Sequence, residues 1–230
     1  MTTLTPDHPA IINSTTIYQK NVYDLSVDDY PHAVLKRSTN RKLGRKVNKT
    51  QYRGRPIYTL SLVARETCSP DCEHWFDCYD NVMPFAHRFR AGPALEERVT
   101  ADLDVYDRRN RRTGYLVRLH VVGDFYSPEY VAFWEQQLSN RPGLAIYGYT
   151  RHHPGTGIGD AVQDLEAKSD RFHVRFSMLP DYEFSANNEA NAPEDRKGPV
   201  ICPEQTGRAA SCGDCGLCWT MRRPITFIDH

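Results

Sequence analysis

The sequence predicts an α/β protein: a partial (β/α) barrel or open parallel sheet, with cysteine-rich metal loops at the carboxyl ends of the strands. Three observations carry this expectation. Apolar, β-branched runs alternate with stretches of helical period between residues 57 and 178. The helical stretches are roughly a dozen residues long, the length a parallel crossover requires. The residues richest in chemistry directly follow the strand runs, where ligands bind in parallel α/β sheets.

Taken in order, residues 1–56 read as a polar and basic N-terminal arm, residues 57–180 as the α/β core, and residues 181–230 as a loop plus a C-terminal metal site. Residues 56–63 form the first core strand and run almost directly into Cys68. Residues 83–108 are mixed and charged, consistent with one or two helices broken near Gly92-Pro93. A strand over 115–122 ends at Gly123-Asp124. Ser127-Pro128-Glu129 then opens a helix, with a serine N-cap and proline at the first position. Tyr130, Val131, Phe133, Trp134 and Leu138 recur on its apolar face. Strands follow over 144–150 and 172–178, separated by a helix over 158–168. Weaker strands are expected over 198–201 and 224–228, for as many as six in all, and the polar stretch 181–197 reads as a surface loop.

Composition bounds the setting. At 230 residues and 40% hydrophobic content the chain can bury a core without disulfides. Seven cysteines is an odd number, and Met1 to Thr16 has neither a basic start nor an apolar stretch of the signal-peptide kind. A cytoplasmic, reducing location is therefore expected, where clustered thiols read as ligands. No apolar run approaches spanning length, so no membrane partner is expected. The formal net charge is zero, but locally it is not balanced. Residues 31–65 hold no carboxylate, and Arg37, Arg41, Lys42, Arg45, Lys46 and Lys49 fall within them. A basic stretch over 36–55 suits the phosphates of DNA or RNA; the plainer alternative is a solvated loop. Arg108, Arg109, Arg111 and Arg112 make a second, shorter basic run.

The thiols fall in two groups. Cys212-x2-Cys215-x2-Cys218 places three on one short loop, and Cys202, standing before Pro203, supplies a fourth. Four thiolates can encase a [4Fe-4S] cluster or a zinc ion. Three thiols in one run suit a cluster better than the paired knuckles of zinc fingers. Cys68, Cys72 and Cys78 offer three thiols, which leaves one iron of a cluster open; alternatively His74 completes a closed zinc site. On the neighbouring strand ends, Gly123 permits close approach of a ligand, and Asp124 can hold an ammonium or act as a catalytic base. Arg151 and Ser177 are candidate contacts to a cofactor's carboxylate or ribose. His152-His153 reads as loop.

Two resemblances attach to these residues. Val117-Arg118-Leu119-His120-Val121-Val122-Gly123-Asp124-Phe125, Ser127-Pro128-Glu129-Tyr130, Tyr149-Thr150-Arg151 and Cys212-Gly213-Asp214-Cys215-Gly216-Leu217-Cys218-Trp219 resemble the phage and plasmid family called gene product 88, from about residue 57 to 220. That likeness implies a phage setting, hence the host cytoplasm, more than a reaction. The layout is also similar to radical S-adenosylmethionine enzymes, which place a three-cysteine cluster loop after the first strand and an acidic motif after the second. Cys68, Cys72 and Cys78 match the loop, although the second gap is five residues where that family has two. Gly123-Asp124 matches a shortened acidic motif.

The expected function is thus an iron–sulfur protein of phage type, with a radical S-adenosylmethionine reaction on a nucleic acid or nucleotide as its enzymatic form. The alternatives are a non-enzymatic nucleic-acid-binding protein with structural zinc sites, or a zinc-containing base-modifying transferase that uses Asp124.

Overall fold

The computed structural model describes residues 2–189 and 199–228. The chain runs through α1 (Pro9–Ile12), β1 (Val22–Tyr23), β2 (Lys36–Arg37), β3 (Ile57–Thr59) and β4 (Arg88–Phe89). The regular part follows: α2 (Pro93–Arg109), β5 (Tyr115–Leu119), α3 (Pro128–Asn140), β6 (Leu144–Thr150), α4 (Gly157–Lys168) and β7 (Phe172–Ser177). It closes with β8 (Ser185–Glu189), β9 (Val200–Ile201), α5 (Cys212–Cys215), α6 (Leu217–Thr220) and β10 (Ile225–Ile228).

Among the described residues, eight strands form one sheet in the order β2-β3-β5-β6-β7-β8-β10-β9, while β1 and β4 pair as a separate ribbon. Only β2 runs antiparallel to its neighbour. The sheet is therefore mixed but mostly parallel, and no barrel closes, since β2 and β9 are edges. From β3 to β8 each core strand lies beside its predecessor, so successive crossovers step the same way. With the usual right-handed crossover this puts the connecting helices on one face.

Packing agrees. Tyr115, Val117 and Leu119 of β5, Leu144 and Ile146 of β6, and Phe172 and Val174 of β7 join the core that α2, α3 and α4 cover. Trp134 of α3 is fully buried there; a large apolar side chain contributes about 2–3 kcal/mol by leaving water. The opposite face has a second core. Leu116, Ala145 and Tyr147 meet Val47 and Tyr52 from the basic stretch, and Cys202, Cys218 and Trp219 from the C-terminal region. The helices begin where the sequence signals them: Ser127 Oγ accepts from Tyr130 N at 3.1 Å, and Thr156 Oγ1 accepts from Gly159 N at 3.0 Å.

Three expectations need correction. Ser185–Glu189 is not surface loop but strand β8, with Ser185, Ala186 and Asn187 buried. Its residues are small and amide-bearing rather than β-branched, so propensity hides a strand that sheet neighbours impose. β8 starts in register with the end of β7, Phe176 opposite Ser185, and so a short connection without a helix suffices. Second, α2 starts at Gly92-Pro93 rather than breaking there, because glycine at φ +139° forms the cap and proline takes the first position. Of the preceding residues, Arg88–Phe89 form β4. Third, the first core strand is shorter than expected, Ile57–Thr59, and gives way early to the first cysteine segment. Residues 190–197 of the expected loop, and Gly198 of the expected strand, lie outside the described residues.

Candidate metal centre

β9 delivers Cys202, whose amide donates to Thr226 O at 2.8 Å. The other three thiols of this group do not lie on a plain loop. Cys212 and Cys215 bound α5, and Cys218 lies in α6. Ser211 caps α5 and donates its hydroxyl to Asp214 Oδ2 at 2.6 Å. Gly216 turns between the two helices at φ +77°, where a Cβ would stand 2.4 Å from Thr50 Cγ2.

All of these thiols are free, with Cys202 and Cys218 buried and Cys212 and Cys215 half-buried. Burial pushes the Cys212 thiol up, and the charges of Cys218 and Cys202 add to it. Burial also raises Cys215, again with Cys218 and Cys202 contributing. The four sulfurs thus share one electrostatic neighbourhood. Backbone amides oppose the rise: Gln205 and Glu204 donate to Cys202, and Leu217 donates to Cys215. An amide aimed at sulfur favours the thiolate.

Two buried guanidinium groups lie near these thiols. Arg118 of β5 stacks on Tyr149 at 4.6 Å and on Tyr147 at 5.6 Å, and donates to Leu119 O. Its charge favours the Cys212 thiolate. Arg175 of β7 donates to the carbonyls of Cys218 (3.1 Å), Leu217 (3.2 Å), Arg223 (2.9 Å) and Ser185 (3.1 Å), and to that of Met221. Burial lowers its pKa, and the Cys218 charge opposes this. Neither arginine forms an ion pair with a carboxylate among the described residues. Tyr149 Oη lies 3.0 Å from Cys218 Sγ.

The first group occupies the segment after β3. Cys68, Cys72 and Cys78 are free and half-buried. Burial raises all three, Cys78 to about 11; the charges of Cys78 and Cys72 add to Cys68, and that of Cys72 adds to Cys78. Here too amides point at sulfur: Arg65 N to Cys68 at 3.4 Å, Asp80 N to Cys78 at 3.5 Å, and His74 N to Cys72. Arg65, buried and at φ +66°, ties the segment together by donating to Trp75 O (2.7 Å), Thr15 O (3.0 Å) and Asn81 Oδ1 (3.0 Å). A fully buried pair, Asp80 and Arg88, fixes its far end, with Thr16 donating to Asp80 at 2.6 Å.

His74 is engaged elsewhere. Its Nδ1 meets Asp77 at 3.1 Å and its Nε2 meets Asn188 at 2.8 Å, so both ring nitrogens are engaged away from the thiols. His152, read above as loop, has a buried Nε2 with no hydrogen-bond partner among the described residues.

Gly123 and Asp124 meet the first cysteine segment rather than empty space. At Gly123, φ +82°, a Cβ would stand 2.7 Å from both Leu62 Cβ and Thr67 Oγ1. Asp124 N donates to Thr67 Oγ1 at 3.1 Å. The buried Asp124 carboxylate accepts from Phe125 N at 2.8 Å and Arg151 N at 2.7 Å, joining the ends of β5 and β6. Burial raises its pKa, and the His152 charge and those amides lower it. Its charge in turn raises Cys68. Arg151 grips Glu73, between Cys72 and His74, at 2.7 and 3.2 Å. Ser177 presents its carbonyl to His153 Nε2 at 2.7 Å. Gly123, Asp124 and Arg151 are thus gathered at the first thiol group, where each positions the segment.

The basic stretch lies against the C-terminal group. Leu43, Val47 and Tyr52 are buried, whereas Arg37, Arg41, Arg45, Lys46 and Lys49 are exposed. Lys42 is half-buried and pairs with Glu204 at 3.7 Å.

Arg65, Arg118, Arg175 and Tyr149 were not among the site residues expected from the sequence. A signal existed for two of them: Val117-Arg118-Leu119 and Val174-Arg175-Phe176 set a cation inside a strand with both neighbours buried, which is costly without a partner. Among the described residues, no group of three or more His, Cys, Asp or Glu side chains is gathered closely enough to hold a single metal ion. No described helix is long and apolar enough to cross a membrane.

The family profile described as Gene product 88 matches residues 33–221. The Gene 88 protein of Mycobacterium phage L5 is 27% identical over 144 residues, and that of Mycobacterium phage D29 is 26% identical over 146. Each match spans 54% of this chain and 58% of the relative. No solved structure matches. None of these matches supports the likeness to radical S-adenosylmethionine enzymes. The profile's reach over most of the sequence, including both cysteine groups and the buried arginines between them, places the chain in the Gene product 88 family.

Proposed function

We propose that this phage-type protein is an iron–sulfur protein. Cys202, Cys212, Cys215 and Cys218 would hold a [4Fe-4S] cluster, and Cys68, Cys72 and Cys78 would hold a second cluster with one iron open to a small ligand. The observation that carries this reading is the pair of buried guanidinium groups, Arg118 and Arg175, set near free thiols without ion-pair partners among the described residues. An uncompensated buried charge costs several kcal/mol. A metal centre bound by four thiolates is a net dianion, and it offsets both cations.

A further feature suits a cluster. Amides aimed at Cys68, Cys72, Cys78, Cys202 and Cys215 supply the hydrogen bonds to sulfur that tune such clusters. When bound, a cluster supplies one-electron transfer. The chain's own residues exclude water from it, hold the thiolates and compensate their charge.

For the first group, the engagement of His74 leaves three thiols without a fourth protein ligand among the described residues. Asp124, the residue expected to receive the amine of S-adenosylmethionine, already accepts from two backbone amides. That carboxylate is thereby built into the joint between β5 and β6, and the function proposed for the first group is ligand binding or electron transfer.

The test is metal and sulfide analysis of anaerobically purified protein with single-cysteine variants. Cys215→Ala should lose the iron of the C-terminal group and keep that of the first. Cys72→Ala should do the reverse. Full metal content in both variants would refute the assignment.

A further inference from the structure

We infer that the exposed cations of residues 36–55 form a nucleic-acid-binding surface assembled on the C-terminal thiol group, so that this surface exists only while that group is metal-bound. The inference rests on the iron–sulfur reading of the site and adds a partner and a dependence to it.

The basic stretch is fastened to the very residues that carry the ligands. Cys212 N donates to Lys42 O at 2.7 Å and Gly213 N to Leu43 O at 3.1 Å. In return Asn48 N donates to Gly213 O at 2.8 Å. Asn48 Nδ2 reaches Asp214 Oδ1 at 2.8 Å, and Trp219 Nε1 reaches Thr50 Oγ1 at 3.1 Å. The approach is so close that a Cβ on Gly213 would stand 2.2 Å from Lys46 O.

The segment is two-sided. Val47 and Tyr52 pack in the same core as Cys202 and Cys218, while Arg41, Arg45, Lys46 and Lys49 face solvent. Of the described carboxylates nearby, Glu204 pairs with Lys42, and Asp214, held by Ser211 and Asn48, keeps its charge near Lys49. Arg41, Arg45, Lys46 and Lys49 outnumber it, so the outer surface is net cationic. Its partner is a phosphate backbone. The exposed large apolar side chains, Ile12, Val27, Phe76, Tyr79, Val82 and Phe85, all lie outside this segment, so charge is what it has to offer. Cations of this kind read phosphates without reading bases.

Dependence on metal follows from size. α5 and α6 have four residues each, far below the length at which a helix holds itself together. Without a metal to cross-link them, the amides and carbonyls that seat residues 42–50 lose their fixed positions.

The experiment uses the full chain and three fluorescent probes of equal length and mixed sequence: duplex DNA, single-stranded DNA and RNA. Anisotropy is read between about 50 and 200 mM salt, with metal and sulfide measured on the same samples. Metal-loaded protein should bind at least one probe with steep salt dependence. Replacing Arg41, Arg45, Lys46 and Lys49 together by glutamine should weaken binding at least tenfold at low salt and reduce the log–log salt slope by about 3. Cys215→Ala should lose binding with every cation still present. Because that variant can also misfold, a second one leaves the ligands alone: Asn48→Ala with Thr50→Val should keep its metal and bind at least threefold more weakly. Metal-loaded protein that binds none of the probes overturns the inference and leaves the iron–sulfur reading standing. Binding unchanged in Asn48→Ala/Thr50→Val, or in folded metal-free protein, overturns the dependence. A wild-type chain with no bound metal overturns the iron–sulfur reading itself.

Discussion

Tyr149 on β6 and Cys218 on α6 meet hydroxyl to sulfur at 3.0 Å. With a protonated thiol either atom can donate. With a metal-bound thiolate only the tyrosine can, and the bond becomes charge-assisted. A hydrogen bond to a ligand sulfur stabilises the more negative, reduced cluster and raises its potential. Tyr149→Phe should therefore shift the C-terminal cluster to a more negative potential by on the order of 50 mV, about 1 kcal/mol for one electron. Redox titration followed by electron paramagnetic resonance reads this directly. An unchanged potential would mean that Tyr149 does not donate to a ligand sulfur.

Arg118 provides a test whose sign depends on metal. Its guanidinium is buried between tyrosine rings without an ion-pair partner among the described residues, and its charge acts on Cys212. Arg118→Met should destabilise the metal-loaded protein by about 2–4 kcal/mol, because bound thiolates lose their counter-charge. In metal-free protein the same change should be neutral or stabilising, since it removes an uncompensated cation. Thermal melts with and without chelator compare the two, and destabilisation of equal size in both would reduce Arg118 to a packing residue.

Gly123→Ala isolates the first group. Its Cβ would fall 2.7 Å from Leu62 and Thr67, at a φ of +82° that disfavours alanine. We expect a loss of about 2–3 kcal/mol in denaturant unfolding, together with loss of the metal held by Cys68, Cys72 and Cys78. The C-terminal metal should stay. Wild-type stability in this variant would show that the β5 end does not buttress the segment.

His120 predicts part of the acid sensitivity. Burial, aided by the Arg118 charge, lowers its pKa to about 3, so it is neutral in the fold. The unfolded chain protonates it near pH 6.5. Its neutral form therefore favours folding fully above that pH, and the contribution is lost as pH falls toward 3, by up to about 1.4 kcal/mol per pH unit. Its Nε2 meets Tyr130 Oη at 3.1 Å while Nδ1 has no partner among the described residues. His120→Asn should flatten the fall in stability between pH 6 and about 4. A slope equal to wild type would assign the acid sensitivity to other groups.

The parallel core was readable because its strands and helices follow local rules. Val117 and Leu119 alternate with buried partners, Ser127 and Thr156 cap helices, and β6 spans the same residues that its apolar run marks. β8 was not readable, since Asn187 and Asn188 become strand only through neighbours far away in sequence. The site divides the same way. Cysteine spacing marked both groups, but spacing cannot show that His74 turns to Asp77 and Asn188, or that Asp124 is committed to the Arg151 amide. The role of residues 42–50 lies in hydrogen bonds to Cys212 and Gly213, across a separation no local pattern records.

The central claim is that buried cations and free thiols together form iron–sulfur sites. Iron, zinc and acid-labile sulfide determined on anaerobically purified chain test it most directly. The account predicts a brown protein with iron and sulfide in equal amounts, about four of each for every [4Fe-4S] cluster bound. A colourless, folded chain carrying stoichiometric zinc without sulfide, or carrying no metal at all, would contradict it.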